Sequence, residues 1–286
     1  MIDGRIHSCA AGDYGVVTAQ GLLTCRARGL FRKQGVTPLV GDLARVEPLG
    51  AGEGCIQEIL PRKNELARPP LANLDQLFLL CSVTQPRPSL RLLDTLIATA
   101  ELAQIEPVIV FTKCDLADGA DYARIYSAFP CFALSLESDI APIRAMMEGK
   151  ISAFCGNTGV GKSTLLNRIE PQLALPTGEI SAKLGRGRHT TRHVELYPAA
   201  GGWVADTPGF SSLEASRQRG LAKEDLNLAF REFVPLLGQC RFPDCAHIKD
   251  KGCAVLAAVE AGGIPQSRWE SYRALYEELK RKKEWE

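Results

Sequence analysis

The sequence predicts a multidomain α/β protein: an N-terminal β-barrel, a central domain on a parallel sheet, and a C-terminal helical domain around a Cys/His cluster. Three observations carry this. Residues 1–66 hold short apolar-rich or alternating runs broken by Gly or Pro, with no helical period. After Arg68-Pro69-Pro70, strand-like and helix-like segments alternate, as in a parallel sheet with helices on both faces. From about Leu221 the chain turns helical and charged, and three of its ten cysteines gather near one of its four histidines. A length of 286 residues allows two or three domains. The boundaries are expected at 1–66, 67–222 and 223–286.

In chain order, Tyr14–Ala19, Leu22–Arg28, Asp42–Glu47 and Cys55–Leu60 read as barrel strands, and the five-stranded OB type is one candidate. Gln76–Val83 is a nearly continuous apolar run, as expected of a strand buried on both faces. Leu90–Ala103 has helical spacing, Val108–Phe111 is a second buried strand, and Asp121–Phe129 is helical. Cys131–Leu134 is a third strand, Ile140–Met147 a helix and Ile151–Cys155 a fourth strand. Val194–Tyr197 and Trp203–Ala205 add two strands, expected at one edge, and Ser267–Trp285 forms a last helix.

Composition narrows the classes. A net charge of +1 gives no global argument for nucleic-acid binding. No apolar stretch approaches the ~20 residues of a membrane span, and the start of the chain lacks the basic and apolar regions of a secretory signal. Seven cysteines lie scattered singly, some inside apolar runs, which fits a reducing compartment. A cytoplasmic protein without a membrane partner is expected.

Gly156-Asn157-Thr158-Gly159-Val160-Gly161-Lys162-Ser163 carries the strongest chemistry. Two glycines four residues apart, then Lys-Ser, with a buried strand before and a helix from Thr164 after, form a phosphate-binding loop. Glycines let backbone N–H groups wrap phosphates at a helix N-terminus. Lys162 would neutralise the β- and γ-phosphates, and Ser163 would ligate Mg²⁺. Asp206-Thr207-Pro208-Gly209 follows an apolar strand, where Asp206 can hold Mg²⁺ through water and Gly209 can offer its N–H to the γ-phosphate.

Thr112-Lys113-Cys114-Asp115 ends the second buried strand and is similar to the guanine-specificity motif of GTPases, with Thr112 in place of the usual Asn. The carboxylate of Asp115 can pair with the N1–H and exocyclic amine of guanine, and adenine would leave it unpaired. The Lys113 stem would cover the base, and Ser135-Leu136 stands where a backbone group meets the guanine O6. The order is the informative point. Here the guanine motif precedes the phosphate loop, the reverse of ordinary GTPases, so the sequence reads as a circularly permuted GTPase.

Gly185-Arg186-Gly187-Arg188-His189-Thr190-Thr191 lies where the first switch segment belongs. A Thr hydroxyl there can complete the Mg²⁺ shell, and the sequence does not decide between Thr190 and Thr191. Lys183, Arg186, Arg188 and Arg192 form a basic stretch that fits either RNA phosphates or a solvated loop. Near the C-terminus, Cys240-x4-Cys245-x-His247-x5-Cys253 offers three thiolates and one imidazole, a closed tetrahedral set for one structural Zn²⁺. In the barrel, Arg26, Arg28, Arg32 and Lys33 form an acid-free stretch with Phe31 as a candidate stacking residue for RNA.

Together these motifs resemble the small-ribosomal-subunit-dependent GTPase A (RsgA/YjeQ) family along essentially the whole chain. Further matches are Arg68-Pro69-Pro70 with Asn73 and Asp75, and Arg268-Trp269-Glu270-Ser271-Tyr272. The resemblance implies an N-terminal OB-fold, a central permuted GTPase domain and a C-terminal zinc domain. It also implies binding to the small ribosomal subunit and its rRNA, a role late in that subunit's assembly, and GTP hydrolysis to GDP and phosphate stimulated by the subunit. A monomer is expected. Phe210 follows Gly209 where many GTPases carry a water-orienting Gln. Another group must then orient the water, and the family's proposed one corresponds to His189. A His contacting RNA or solvent is the other reading of that position. A permuted GTPase acting on another RNA or protein, or a docking module with negligible turnover, are the alternatives for the whole chain.

Overall fold

In the computed structural model the described residues are 1–29, 31, 35–67, 70–173, 194–206 and 222–283. The strands are β1 Ile2–Ala10, β2 Asp13–Thr18, β3 Gly21–Ala27, β4 Leu43–Gly50, β5 Glu53–Ile59, β6 Glu65–Ala67, β7 Pro70–Ala72, β8 Gln76–Ser82, β9 Glu106–Thr112, β10 Cys131–Leu134, β11 Ile151–Cys155, β12 Glu195–Ala199 and β13 Gly202–Asp206. The α-helices are α1 Leu90–Leu102, α2 Ala120–Ile125, α3 Ala141–Met147, α4 Lys162–Ile169, α5 Ala254–Glu260 and α6 Gln266–Lys283. The chain forms two compact units, Met1–Phe78 with Ser138–Leu213, and Leu79–Glu137 with Glu214–Glu286.

The first unit opens with a five-stranded barrel. Strands β1 to β5 run in the order β1-β2-β3-β5-β4, and β1 pairs back onto β4 to close it. All pairings are antiparallel except β3 with β5. Ile6, Val16, Cys25, Ala44, Val46 and Ile56 fill the interior. Strand β1 is not foreseen from the sequence, because Ile2-Asp3-Gly4-Arg5-Ile6-His7-Ser8 mixes polar and apolar residues. A register shift between Ile6 and Ser8 also breaks its alternation. Phe31 is a correction: it is 7% exposed, so the ring serves the core and is not presented for stacking. Arg26 pairs with Asp13 and Arg28 donates to Gln57, while positions 32 and 33 lie outside the described residues.

A short hairpin of β6 and β7 leads from the barrel to β8. Asp42, fully buried, accepts both the Nε and an Nη of Arg62 at 2.8 Å. The rest of this unit holds β11, flanked by β13 in parallel, with β12 antiparallel to β13. The sequence places the β12–β13 hairpin at one edge; in the structure it is not an edge, because β12 also meets β1 at Glu195↔Ser8.

In the second unit β9 and β10 are parallel, with Leu134 beside Thr112. Helix α1 begins at its cap Ser89, whose hydroxyl accepts from the Leu92 N–H, and buries Leu93, Asp94, Leu96, Ile97 and Ala98. Helix α2 stops at Ile125, short of the expected Phe129. Its C-cap Tyr126 is fully buried, and the Tyr126 hydroxyl donates to Asp94 at 2.8 Å. The segment from 222 to α5 carries 3₁₀ turns at Leu226–Ala229 and Val234–Leu236 instead of regular helices. Its core is aromatic: Phe230, Phe233 and Tyr272 pack with ring centroids 4.8–5.3 Å apart.

Candidate nucleotide site and metal centre

The phosphate loop lies in the first unit, between the fully buried strand β11 and helix α4. Phe154 stacks on Phe78 at 4.6 Å, and Ser152 accepts from the buried Gln76 side chain at 2.9 Å, so the strand feeding the loop is fixed from behind. Gly159 and Gly161 have φ of 82° and 97°, a left-handed conformation that glycine adopts without a Cβ clash. Gly161 caps α4, and its carbonyl takes the Leu165 N–H at 2.9 Å. Asn157, Thr158 and Gly159 are exposed, Val160 is buried as the anchor, and Lys162, Ser163 and Thr164 are half-buried in the first turn of the helix. A helix start of this kind presents N–H groups and the positive end of its dipole to an anion.

Parallel register brings a second element to the same end of this sheet. Ala153 lies beside Ala205, so β11 and β13 run out together, one into the phosphate loop and the other at Asp206. Ser163, in the first turn of α4, offers a hydroxyl, a hard oxygen of the kind Mg²⁺ takes. Gly209, Phe210, His189, Thr190 and Thr191 lie outside the described residues.

The guanine motif lies in the second unit and is built the same way. Strands β9 and β10 end together at Thr112 and Leu134, and the Cys114 N–H donates to the Leu134 carbonyl at 3.0 Å. Thr112 is buried, Lys113 and Cys114 are half-buried, and Asp115 is exposed. Lys113 has a φ of 62°, a left-handed turn costing a non-glycine residue about 1–2 kcal/mol. Burial pushes the Cys114 thiol up, which keeps it protonated. Ser135 caps its own turn by accepting the Glu137 N–H at 3.3 Å, and Leu136 is 69% exposed.

The Cys/His cluster is also in the second unit. Cys240, Cys245, His247 and Cys253 bring their ligand atoms within 4.8 Å of one another. Cys240 Sγ is 3.5 Å from His247 Nδ1 and 3.9 Å from Cys253 Sγ, and His247 Nδ1 is 3.4 Å from Cys253 Sγ. A tetrahedral ion with metal–sulfur bonds of about 2.3 Å and metal–nitrogen bonds of about 2.0–2.1 Å requires S···S near 3.8 Å and S···N near 3.5 Å. The spacing therefore fits a metal ion. Burial lowers the basicity of His247, which favours the neutral, ligating imidazole. The sulfurs accept backbone N–H groups of Ala254, His247 and Leu256, as thiolates do at bound metals.

Sequence reasoning missed what supports this cluster. Trp269 donates its indole N–H to the His247 carbonyl at 2.9 Å, and the Tyr272 hydroxyl donates to the Ala246 carbonyl at 3.0 Å. Both sit on α6, which is pinned by Arg268. That guanidinium is fully buried and reaches Asp94 at 2.6 Å and Glu232 at 2.7 Å. The sequence marks this segment only through the family resemblance, since a charged residue on a helix reads from sequence as a solvated one.

Two family models match the chain. One described as RsgA GTPase covers residues 59–216, and one described as RsgA N-terminal domain covers residues 3–56. A protein named small ribosomal subunit biogenesis GTPase RsgA, from Caldanaerobacter subterraneus subsp. tengcongensis, is 44% identical, with 98% of this chain and 97% of that protein covered. One of the same name from a Geobacillus strain is 43% identical, with 99% of each covered. Among solved structures, YloQ, titled a circularly permuted GTPase, superposes with a TM-score of 0.82 at 36% identity, covering 99% of this chain and 96% of the other. YjeQ from Thermotoga maritima gives 0.84 at 34% identity, covering 97% and 98%.

Proposed function

The chain belongs to the RsgA GTPase family, a circularly permuted GTPase, and from that premise we propose that it hydrolyses GTP on the small ribosomal subunit as a late assembly factor. The observation that supports the site most directly is the shared end of β11 and β13, which sets Asp206 in line with the phosphate loop. Gly156 to Thr164 hold the phosphates, with Lys162 neutralising their charge. Thr112 to Asp115, with Ser135 and Leu136, take the guanine base. Ser163, Asp206 and one of Thr190 and Thr191 hold Mg²⁺, which neutralises charge on the β- and γ-phosphates when bound. Gly209 meets the γ-phosphate, and His189 orients the attacking water in place of the Gln that Phe210 replaces.

The cluster of Cys240, Cys245, His247 and Cys253 holds one structural Zn²⁺: its four-ligand set leaves no position for substrate. The functional division is 1–66 for RNA contact, 67–222 for GTP and 223–286 for zinc. The protein acts as a cytoplasmic monomer with rRNA as its polyanionic partner, and among the described residues no helix is long and apolar enough to cross a membrane. The test is the GTPase rate with and without purified small subunits, with large subunits as control. Acceleration by small subunits alone is expected. Equal rates in all three would refute the ribosomal reading, and absence of hydrolysis in all three would refute turnover.

A further inference from the structure

The left-handed turn at Lys113 needs something to hold its side chain over a base, and the second unit contains it. Strand β8 ends at Ser82, which is 1% exposed. Its hydroxyl accepts the Thr84 N–H at 3.2 Å and donates to the Gln85 carbonyl at 3.1 Å, closing a tight turn. That same carbonyl receives the Lys113 ammonium. One strand over, the Val83 N–H donates to the Thr112 carbonyl at 3.1 Å, so this turn and the guanine motif are laced together on backbone as well.

We propose that Ser82 is a positioning residue for guanine recognition, acting through the Gln85 carbonyl to tether the Lys113 ammonium and so hold the Lys113 stem as the cover of the base. This rests on the base-site reading given above. A lysine stem is costly to order, because its four methylene torsions are free in solvent. A fixed carbonyl at its far end makes that ordering part of the fold before nucleotide arrives, which is preorganisation in the ordinary sense. The carbonyl is fixed only while Ser82 closes the turn. Gln85 itself contributes backbone alone here, so its side chain is free to vary, while the hydroxyl of Ser82 is not.

The experiment is a double-variant cycle on the full chain, reading GDP affinity by titration calorimetry. Ser82→Ala should weaken GDP binding about fivefold, the scale of one net hydrogen bond. Ser82→Thr, which keeps the hydroxyl, should restore it. Lys113→Met should weaken binding further, and adding Ser82→Ala to it should cost nothing more, because the tether has no ammonium left to hold. A Ser82→Ala loss of the same factor in both backgrounds would overturn the proposal and make Ser82 merely structural. So would unchanged affinity in Ser82→Ala. If Lys113→Met itself leaves GDP affinity unchanged, the base-site reading fails, a result distinct from failure of the tether alone.

Discussion

Replacing Arg268 by Met tests how the segment carrying the Cys/His cluster is held. The side chains are similar in length, so the change removes charge more than volume. Arg268 is fully buried among Phe230, Phe129 and Tyr126, with its guanidinium carbon 4.6 Å from the Phe230 ring centre. Its two carboxylate partners differ in what happens next. Glu232 keeps 10% exposure and can draw water, whereas Asp94 is 0% exposed and cannot. Breaking a buried pair from one side costs about 3–5 kcal/mol, because the orphaned charge stays buried. With a urea dependence of ~2 kcal/mol per molar, the unfolding midpoint should fall by about 2 M. Burial already raises the Asp94 carboxyl, against the opposing pull of Arg268. Without Arg268 it rises further above its unfolded value. The stability it contributes is then present below the unfolded value and lost as pH rises through the folded one, so the variant's deficit shrinks towards acid. Asp94→Asn in the same chain should recover most of the loss at neutral pH. A midpoint shift under about 0.5 M, equivalent to ~1 kcal/mol, or no recovery in the double variant, would refute the reasoning.

Three further outcomes are expected. Asp115→Asn should shift preference from GTP towards XTP, since an amide can donate to the xanthine O2; competition binding checks this, and a wild-type margin for GTP would remove Asp115 from the base site. Lys162→Ala should lose most nucleotide affinity, while His189→Ala should bind GTP but lose stimulation by small subunits, a placement effect of up to ~10³–10⁵ in rate that single-turnover hydrolysis would reveal. Metal analysis should find one Zn²⁺ per chain, and chelation should unfold the segment around Cys240 to Cys253, because structural zinc contributes ~10–16 kcal/mol of apparent binding free energy; zinc-free protein with that segment intact would end the assignment.

How much of this was legible depended on what each segment buries. Ile151–Cys155 and Cys131–Leu134 appear in the sequence with the bounds they have in the structure, because strands in a parallel sheet read as unbroken apolar runs. Strand β1 was invisible for the opposite reason: only Gly4 and Ile6 along it are buried, and the irregularity before Ser8 shifts the pattern. The Cys/His spacing named all four clustered residues, since ligand type and loop length are written in the chain. Arg268 was legible only through the family resemblance, because its carboxylate partner Asp94 lies 174 residues away in sequence. Phe31 misled because an aromatic among cations looks the same in sequence whether it faces a base or the barrel core.

Strand direction sets where each motif lies within its own unit. In the first unit β11 and β13 are parallel and deliver the phosphate loop and Asp206 at their carboxyl ends. In the second, β9 and β10 are parallel and deliver the guanine motif and Ser135 at theirs. A ligand site at the carboxyl ends of parallel strands depends on where each strand points, and not on which crossover was cut to make new termini. What the cut changes is what can be attached in front. Here the barrel precedes β8, and the entry to β8 is clamped to the phosphate-loop strand. Asp75 donates its N–H to the Ile151 carbonyl at 3.0 Å and accepts the Ile151 N–H on its carboxylate at 2.8 Å. The barrel's own strand β1 meets β12 at Ser8 and Glu195. Permutation has thus attached the barrel, through short hydrogen-bonded links within one unit, to the strand that feeds the phosphate loop and to the hairpin that ends at Asp206.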